Sequence, residues 1–108
     1  MFDENSRIIL YSKPVKLFKG FDSLLSIVLT ELKMDLTPNT FVLFLNEDKD
    51  RFKMLFLHYN QIAIFSMRLE GTLISSFGET REFNKQSFNE FITRLKKGKR
   101  RIIYSIKN

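Results

Sequence analysis

The chain has 108 residues, of which 44% are apolar and 28% charged, and this size and composition predict one globular domain spanning residues 1–108. It contains no cysteine, which excludes disulfides, thiolate catalysis and thiolate metal sites. No apolar run reaches the roughly 18 residues of a membrane span, and no basic segment followed by an apolar stretch opens the chain. We therefore expect a cytoplasmic protein without a membrane partner.

The net charge of +6 is concentrated near the C-terminus. Residues 94–101 contain six basic side chains and no acidic one, whereas the rest of the chain balances 12 basic against 12 acidic residues. A localised basic segment, residues 94–108, can meet phosphate groups or an acidic protein surface. The six basic residues are Arg94, Lys96, Lys97, Lys99, Arg100 and Arg101.

The first half of the chain predicts a strand, a helix and a second strand. The segment 8–11 is short, apolar and partly β-branched, as in a strand. From Phe21 onward the apolar residues follow the stripe of an amphipathic helix that reaches about Lys33, and the continuous apolar run 41–45 has the length of a strand. The helical stripe consists of Phe21, Leu24, Leu25, Val28 and Leu32.

The run 41–45 begins a predicted antiparallel meander. Its polar turn covers residues 46–50, its return strand residues 52–57, and its third strand residues 62–69 after a turn at residues 58–61. Gly71 and Thr72 then interrupt the sheet, and residues 73–77 predict an edge strand. Residues 78–82 read as a polar loop.

A second helix is predicted from Lys85 to Lys97. Asn84 is a favourable N-cap residue, Gly98 suits the position just beyond the helix, and residues 101–107 predict an extra strand or a tail. The fold class is therefore α+β, in which an antiparallel sheet of three to five strands packs both helices against a common face. The apolar stripe of this helix consists of Phe88, Phe91, Ile92 and Leu95.

Four segments in order resemble the TnpB accessory proteins of the IS-sixty-six insertion sequences, which are distinct from the RNA-guided nucleases of the same name. They are residues 19–24, 41–44, 50–55 and 68–70, which read KGFDSL, FVLF, DRFKML and RLE. The chain departs from the family pattern at three places. Residues 16–18 replace an acidic, an apolar and an Arg residue, residues 57–61 replace a Trp-Asp-Gly-x-Gly hairpin, and Met67 replaces a Lys.

The resemblance implies a non-catalytic helper of a separate transposase, and we expect no cofactor. Together with the localised charge, it predicts a factor that binds element DNA, the transposase of the same element, or both. An alternative is an adaptor that binds only the transposase, through an acidic protein surface. A small metal-dependent nuclease is a third hypothesis, because Glu47, Asp48 and Asp50 lie close together in sequence. Solvation of a hairpin turn explains these acids more simply, and His58 lacks the companions of a zinc site. We assign no catalytic residue and no metal ligand.

The six C-terminal basic residues are candidates for contact with DNA phosphates. Those predicted to end the second helix could instead offset its dipole, whereas Lys99, Arg100 and Arg101 lie beyond that helix. A second candidate set could contact phosphate or a partner, or could form ordinary ion pairs with nearby acids. Its members match basic positions of the family pattern, and they are Lys19, Arg51, Lys53 and Arg68.

Three aromatic side chains could in principle stack on nucleic-acid bases: Phe52, Phe56 and Tyr59. Burial in the core is the more common fate of phenylalanine. Tyr59 lies in a predicted turn, which makes it the strongest of the three candidates.

Overall fold

The computed structural model describes residues 1–97, except the side chain of Lys97. Seven strands and two helices occur among these residues. The helices are α1 (Phe21–Ser26), continued by a π-helical segment (Ile27–Glu31), and α2 (Lys85–Ile92). The strands are β1 (Arg7–Leu10), β2 (Thr40–Leu45), β3 (Arg51–His58), β4 (Gln61–Arg68), β5 (Gly71–Leu73), β6 (Arg81–Phe83) and β7 (Leu95–Lys97).

The main sheet has five strands in the order β4-β3-β2-β1-β6, and β5 and β7 form a separate two-stranded sheet. The predicted meander is confirmed, because β2, β3 and β4 pair antiparallel in sequence. The pair of β1 and β2 is parallel, with Ile8 opposite Phe41. A parallel pair needs a crossover connection, and the helical segment between the two strands supplies it. The α+β class is thus correct, and the sheet is antiparallel in all but this pair.

The two helices cover opposite faces of the sheet, so the expectation of a common face was wrong. Leu24 and Val28 pack with Val42 and Phe44 on one face, which we call the α1 face. Phe88 and Phe91 pack on the opposite face, the α2 face, with the remaining core. All six residues of β2 are buried because this central strand is covered on both sides. The other core residues of the α2 face are Ile8, Leu10, Phe41, Leu43, Leu45, Phe52, Met54, Phe56, Leu73 and Phe83.

The first helix changes its hydrogen-bond pattern halfway along. The Thr30 hydroxyl donates to the Ser26 carbonyl oxygen at 2.6 Å, and the Leu32 amide bonds five residues back, to Ile27, at 3.0 Å. A threonine hydroxyl that bonds to the preceding turn competes with the α-helical pattern and accompanies the wider π-turn. The predicted stripe holds for the buried Leu24 and Val28, whereas Phe21 is exposed.

The second helix begins as predicted but ends five residues early. Asn84 accepts a hydrogen bond from the Ser87 amide at 2.8 Å, while the Ser87 hydroxyl accepts one from the Asn84 amide. The helix stops at Ile92, where the Thr93 hydroxyl donates to the Glu90 carbonyl oxygen at 2.8 Å. Leu95 then pairs with Leu73 in the small sheet, and its partly buried side chain packs against the core from a strand instead of a helix.

Two further expectations for this region were wrong. We expected residues 71 and 72 to interrupt the sheet and residues 73–77 to form an edge strand. Instead, residues 71–73 form β5, which lies outside the main sheet. Residues 81–83, within and just after the predicted loop, form β6 and pair with β1. The predicted strand or tail at residues 101–107 and the helix-end role of Gly98 lie outside the described residues.

Candidate nucleic-acid interface

Three of the four basic residues at family positions lie side by side on the α1 face. Arg51 and Lys53 lie on β3, and Arg51 is directly opposite Arg68 of β4. Opposite residues in an antiparallel pair share a face, and alternate residues along a strand do so as well. Leu55, the next residue on the same face as Arg51 and Lys53, packs in the core beneath α1. The three cations therefore continue the α1 face beyond the edge of its apolar core.

These cations line one surface groove of about 300 Å³. No acidic side chain is among its described lining residues, so its charged lining residues are all basic. We call it the basic groove, and its lining residues are Leu17, Arg51, Phe52, Lys53, Ser66, Met67 and Arg68.

Asn46 holds the turn that delivers Arg51 to the groove. Its buried side-chain oxygen accepts hydrogen bonds from the amides of Asp50 and Arg51, both at 3.0 Å, and its amide group donates to the Asp50 carboxylate at 2.7 Å. Lys49 takes a left-handed backbone conformation with φ 59° to complete the turn. The sequence suggested a polar turn, but the role of Asn46 went unrecognised because asparagine is common in every kind of turn.

Lys53 joins the groove to the beginning of α1. Its ammonium group donates to the Lys19 carbonyl oxygen at 2.7 Å. Lys19 thus takes part through its backbone, and the contact sets the position of the chain just before Gly20, the N-cap of α1. An ammonium group has three donors, so this bond leaves Lys53 able to hold an anion as well.

Arg51 offers a donor that the described residues do not use. Its Nε atom is buried and has no hydrogen-bond partner. The ion pairs among residues 1–97 lie elsewhere, and they join Arg7 to Glu82 at 2.9 Å and Lys13 to Glu31 at 3.5 Å. The expected alternative, ordinary ion pairs for the groove cations, therefore does not occur within the described part of the chain. A buried unused donor is costly and is usually matched by a partner group.

The sequence had suggested that Arg94, Lys96 and Lys97 end the second helix, and the structure shows that they do not. Arg94 and Lys96 are exposed after the end of α2, and Lys97 belongs to β7. The helix dipole therefore does not account for these charges. Lys99, Arg100 and Arg101 lie outside the described residues.

The small sheet connects the start of the C-terminal basic segment, at Lys97, to the turn that precedes Arg51. The Leu69 amide, next to Arg68, donates to the Asp50 carbonyl oxygen at 2.8 Å, and the Leu73 amide donates to the Lys49 carbonyl oxygen at 2.8 Å. Gly71, which lies between Leu69 and Leu73 in sequence, pairs with Lys97. The backbone of Lys97 is thus joined through Gly71 to the segment that follows Arg68.

The aromatic candidates divide as their predicted positions suggested. Phe52 and Phe56 are buried in the core of the α2 face. Tyr59 is 87% exposed at the tip of the β3–β4 turn, where Tyr59 and Asn60 have φ angles of 50° and 63°. It lies at the opposite end of β4 from Arg68, so Tyr59 and the basic groove do not form one site.

The carboxylates that suggested a nuclease lie in the β2–β3 turn, where Glu47 and Asp48 are exposed. Among residues 1–97 there is no group of three or more His, Cys, Asp or Glu side chains that could hold a metal ion. His58 packs its ring against Phe56 and Tyr59, with centroids 6.4 and 4.5 Å away. No helix of the described chain is long and apolar enough to cross a membrane.

Comparison with known proteins gives one family. The family described as IS66 Orf2 like protein matches residues 6–98. This match includes the four segments on which the sequence resemblance rests, and it extends over β1, α2 and β7. No curated protein and no solved structure matches the chain.

Proposed function

The chain belongs to the IS66 Orf2-like family of insertion-sequence proteins, and we propose that it assists transposition by binding the phosphate backbone of DNA through the basic groove. The cations of the groove form a positive surface on which a DNA strand can lie. The role includes no catalytic step and no cofactor, and it is exercised in the cytoplasm beside the transposase of the same element.

The observation that carries the proposal is the grouping of Arg51, Lys53 and Arg68 in one groove without an acidic lining residue. Surface cations that serve only solubility are normally interspersed with acids. The buried Nε atom of Arg51 also has no partner among the described residues. Phosphate oxygens suit both the planar fork of arginine and the point charge of lysine.

Contacts of this kind fix position without reading sequence. The described groove presents side chains suited to phosphate, and its apolar lining residue Leu17 suits the sugar edge of a strand. Specificity for the ends of the element would then come from the transposase. Exposed Arg94 and Lys96 add positive charge to the protein, which increases the dependence of binding on salt.

The test is a titration of the full chain against duplex DNA at several salt concentrations. The double variant Lys53→Met/Arg68→Gln should bind roughly a hundredfold more weakly at low salt, because each lost charge-assisted contact is worth about 1.5 kcal/mol. For this variant, the slope of log affinity against log salt concentration should be shallower by about 2, which is about 1 for each lost phosphate contact.

The matched control is Lys33→Gln/Lys85→Gln, which removes the same net charge at exposed positions outside the groove. It should bind within about threefold of the wild type if the groove, and not overall charge, holds DNA. Equal losses in the two double variants, or binding that ignores salt, would refute the groove as the contact surface. Arg100→Ala/Arg101→Ala measures the added contribution of the C-terminal segment.

A comparison of DNA carrying element ends with unrelated DNA separates phosphate binding from sequence reading. Equal affinity is expected for this protein alone, and preference for element ends should appear only with transposase present. The alternative function, an adaptor that binds transposase without touching DNA, predicts instead that the two proteins co-purify after nuclease treatment and that neither double variant changes DNA affinity.

A further inference from the structure

Within residues 1–97 the edge strand β4 is unprotected, which is unusual for a folded sheet. It has eight residues and pairs only with β3 among the described strands. The opposite edge, β6, has three residues, two of which are the charged Arg81 and Glu82. Short length and charge are the usual means by which proteins prevent edge-to-edge pairing. Residues 61–67 of β4 contain no charge and no proline, so this edge has neither kind of protection.

The turn that leads into β4 determines which backbone groups face outward. Tyr59 and Asn60 both have positive φ, as in the two-residue turn that closes a hairpin on a hydrogen-bonded pair, here His58 and Gln61. Because such pairs alternate along an antiparallel ladder, every second residue from Ile62 directs its N–H and C=O groups away from β3. None of these N–H groups donates to another backbone carbonyl among the described residues. They belong to Ile62, Ile64, Ser66 and Arg68.

Apolar side chains flank this open edge. On the α2 face, Phe65 is 44% and Met67 38% exposed, because α2 packs over β1 and β6 and leaves the β4 side of that face uncovered. Beside them lies an apolar cleft of about 440 Å³ whose walls include Phe56, Ala63 and Phe65. An edge that combines free backbone groups with exposed apolar side chains fits the addition of another strand.

We propose that two copies of this chain pair antiparallel through β4 and form one continuous ten-stranded sheet. Opposite residues in such a pair share a face, so a two-fold axis at Phe65 places Phe65 against its own copy. Ala63 then lies opposite Met67 of the second copy, which sets that methionine at the cleft beside Ala63.

The lack of charge along residues 61–67 fits a second copy of the chain as the occupant. A net charge of +6 opposes self-association in general, yet residues 61–67 form an uncharged strand through which two copies can meet. The nearest charge, Arg68, falls opposite Ile62 of the second copy, so no two like charges are apposed. An acidic or basic partner would find no complementary charge along this strand.

The pairing has a consequence for the basic grooves, although it does not depend on DNA binding. A two-fold axis perpendicular to the sheet keeps both α1 faces on one side. Arg68 and Arg68 of the second copy are then separated by six residues along the strands, or about 20 Å. This is less than one helical turn of B-form DNA, about 34 Å.

The first test is the mass of the full chain in solution, measured by sedimentation without DNA over about a hundredfold range of concentration. A dimer is expected, and Phe65→Lys should weaken it more than about tenfold, since two ammonium groups would face each other at the axis. The matched control Ile74→Lys, at an apolar residue 65% exposed outside β4, should leave the dimer unchanged. A wild-type chain that stays monomeric throughout overturns the proposal, as does a dimer that Phe65→Lys and Ile74→Lys weaken equally.

A second variant tests the geometry without introducing a charge. The chain has no cysteine, so Phe65→Cys provides one thiol per copy, and the proposed pairing holds the two Cα atoms within disulfide range. Mild oxidation should yield a covalent dimer from Phe65→Cys and very little from Ile74→Cys. Equal yields from both variants would mean random collision and would refute pairing at β4.

Discussion

The Tyr11 hydroxyl donates a hydrogen bond to the Glu31 carboxylate at 2.6 Å and so ties the residue after β1 to the last residue of the π-helical segment. Burial of the phenol, the hydrogen bond and the nearby negative charge raise the pKa of Tyr11 from 10 to about 12. The same bond lowers the pKa of Glu31. Both effects stabilise the pair with the phenol protonated and the carboxylate charged.

The raised pKa of Tyr11 predicts loss of stability in alkali. Between pH 10 and about 12 the unfolded chain releases the phenolic proton more readily than the folded protein does, so the free energy of unfolding falls as pH rises. Tyr11→Phe removes this contribution. Denaturant unfolding of both proteins at pH 9, 10 and 11 should show a steeper decline for the wild type. Parallel declines would mean that the phenol titrates alike in both states.

Acid should weaken the fold through Glu31 and Glu82. The pKa of Glu82 is lowered by its hydrogen bond and charge interaction with Arg7, which contacts it through two nitrogens at 2.9 and 3.0 Å. A lowered pKa means that the stabilisation is present above the unfolded value of 4.5 and is lost as pH falls through the folded value. Glu82→Gln should flatten the decline below pH 4.5.

The size of that effect should be small, because both partners of the Arg7–Glu82 pair are about half exposed. Such pairs contribute about 0 to 1 kcal/mol. Thermal melts at pH 3, 4, 5 and 7 measure it, with Glu79→Gln as the control because Glu79 is exposed and forms no ion pair with a described residue. If Glu79→Gln reduced the loss of stability in acid as much as Glu82→Gln does, the loss could not be assigned to the Arg7–Glu82 pair.

Asn46→Ala should destabilise the protein by about 1 to 3 kcal/mol. The substitution leaves the amides of Asp50 and Arg51 without the acceptor that they share, the buried side-chain oxygen of Asn46. It should also weaken DNA binding, since the turn determines where Arg51 enters the groove. Asn89→Ala, at an exposed position on α2, is the control. Unchanged stability in Asn46→Ala would show that the turn is held by other contacts.

Leu24→Ala should lower the free energy of unfolding by about 2 to 5 kcal/mol. Leu24 is fully buried between α1 and the sheet, and its truncation leaves a cavity. Leu29→Ala removes the same atoms at a position 49% exposed on the same helical segment, and it should change stability by less than about 1 kcal/mol. Denaturant midpoints of the two variants provide the comparison. Equal costs would mean that α1 does not pack as described.

The sequence predicted the strands of the meander well because their apolar runs are separated by polar turns. It predicted the second helix too long because Leu95 continues the spacing of Phe88, Phe91 and Ile92, and periodicity alone does not reveal the strand partner that buries Leu95. The polar segment that forms β6 gave no strand signal, since its place beside β1 depends on the tertiary fold.

The candidate site was predicted in part. The basic residues at family positions were named, but their grouping depends on the register that sets Arg51 opposite Arg68, and register is not visible in a single sequence. The placement of the helices on opposite faces was missed for a related reason. A continuous apolar strand such as residues 41–45 is compatible with cover on one face or on both.

The position of β1 also constrains how the protein is made. This strand lies between β2, which follows thirty residues later, and β6, which begins at residue 81. During synthesis the N-terminal strand must therefore wait until most of the chain has been translated before both of its edges are filled. Pairings this distant in sequence close slowly. We expect the nascent chain to remain open until the segment around Phe83 emerges, and then to fold in one late step.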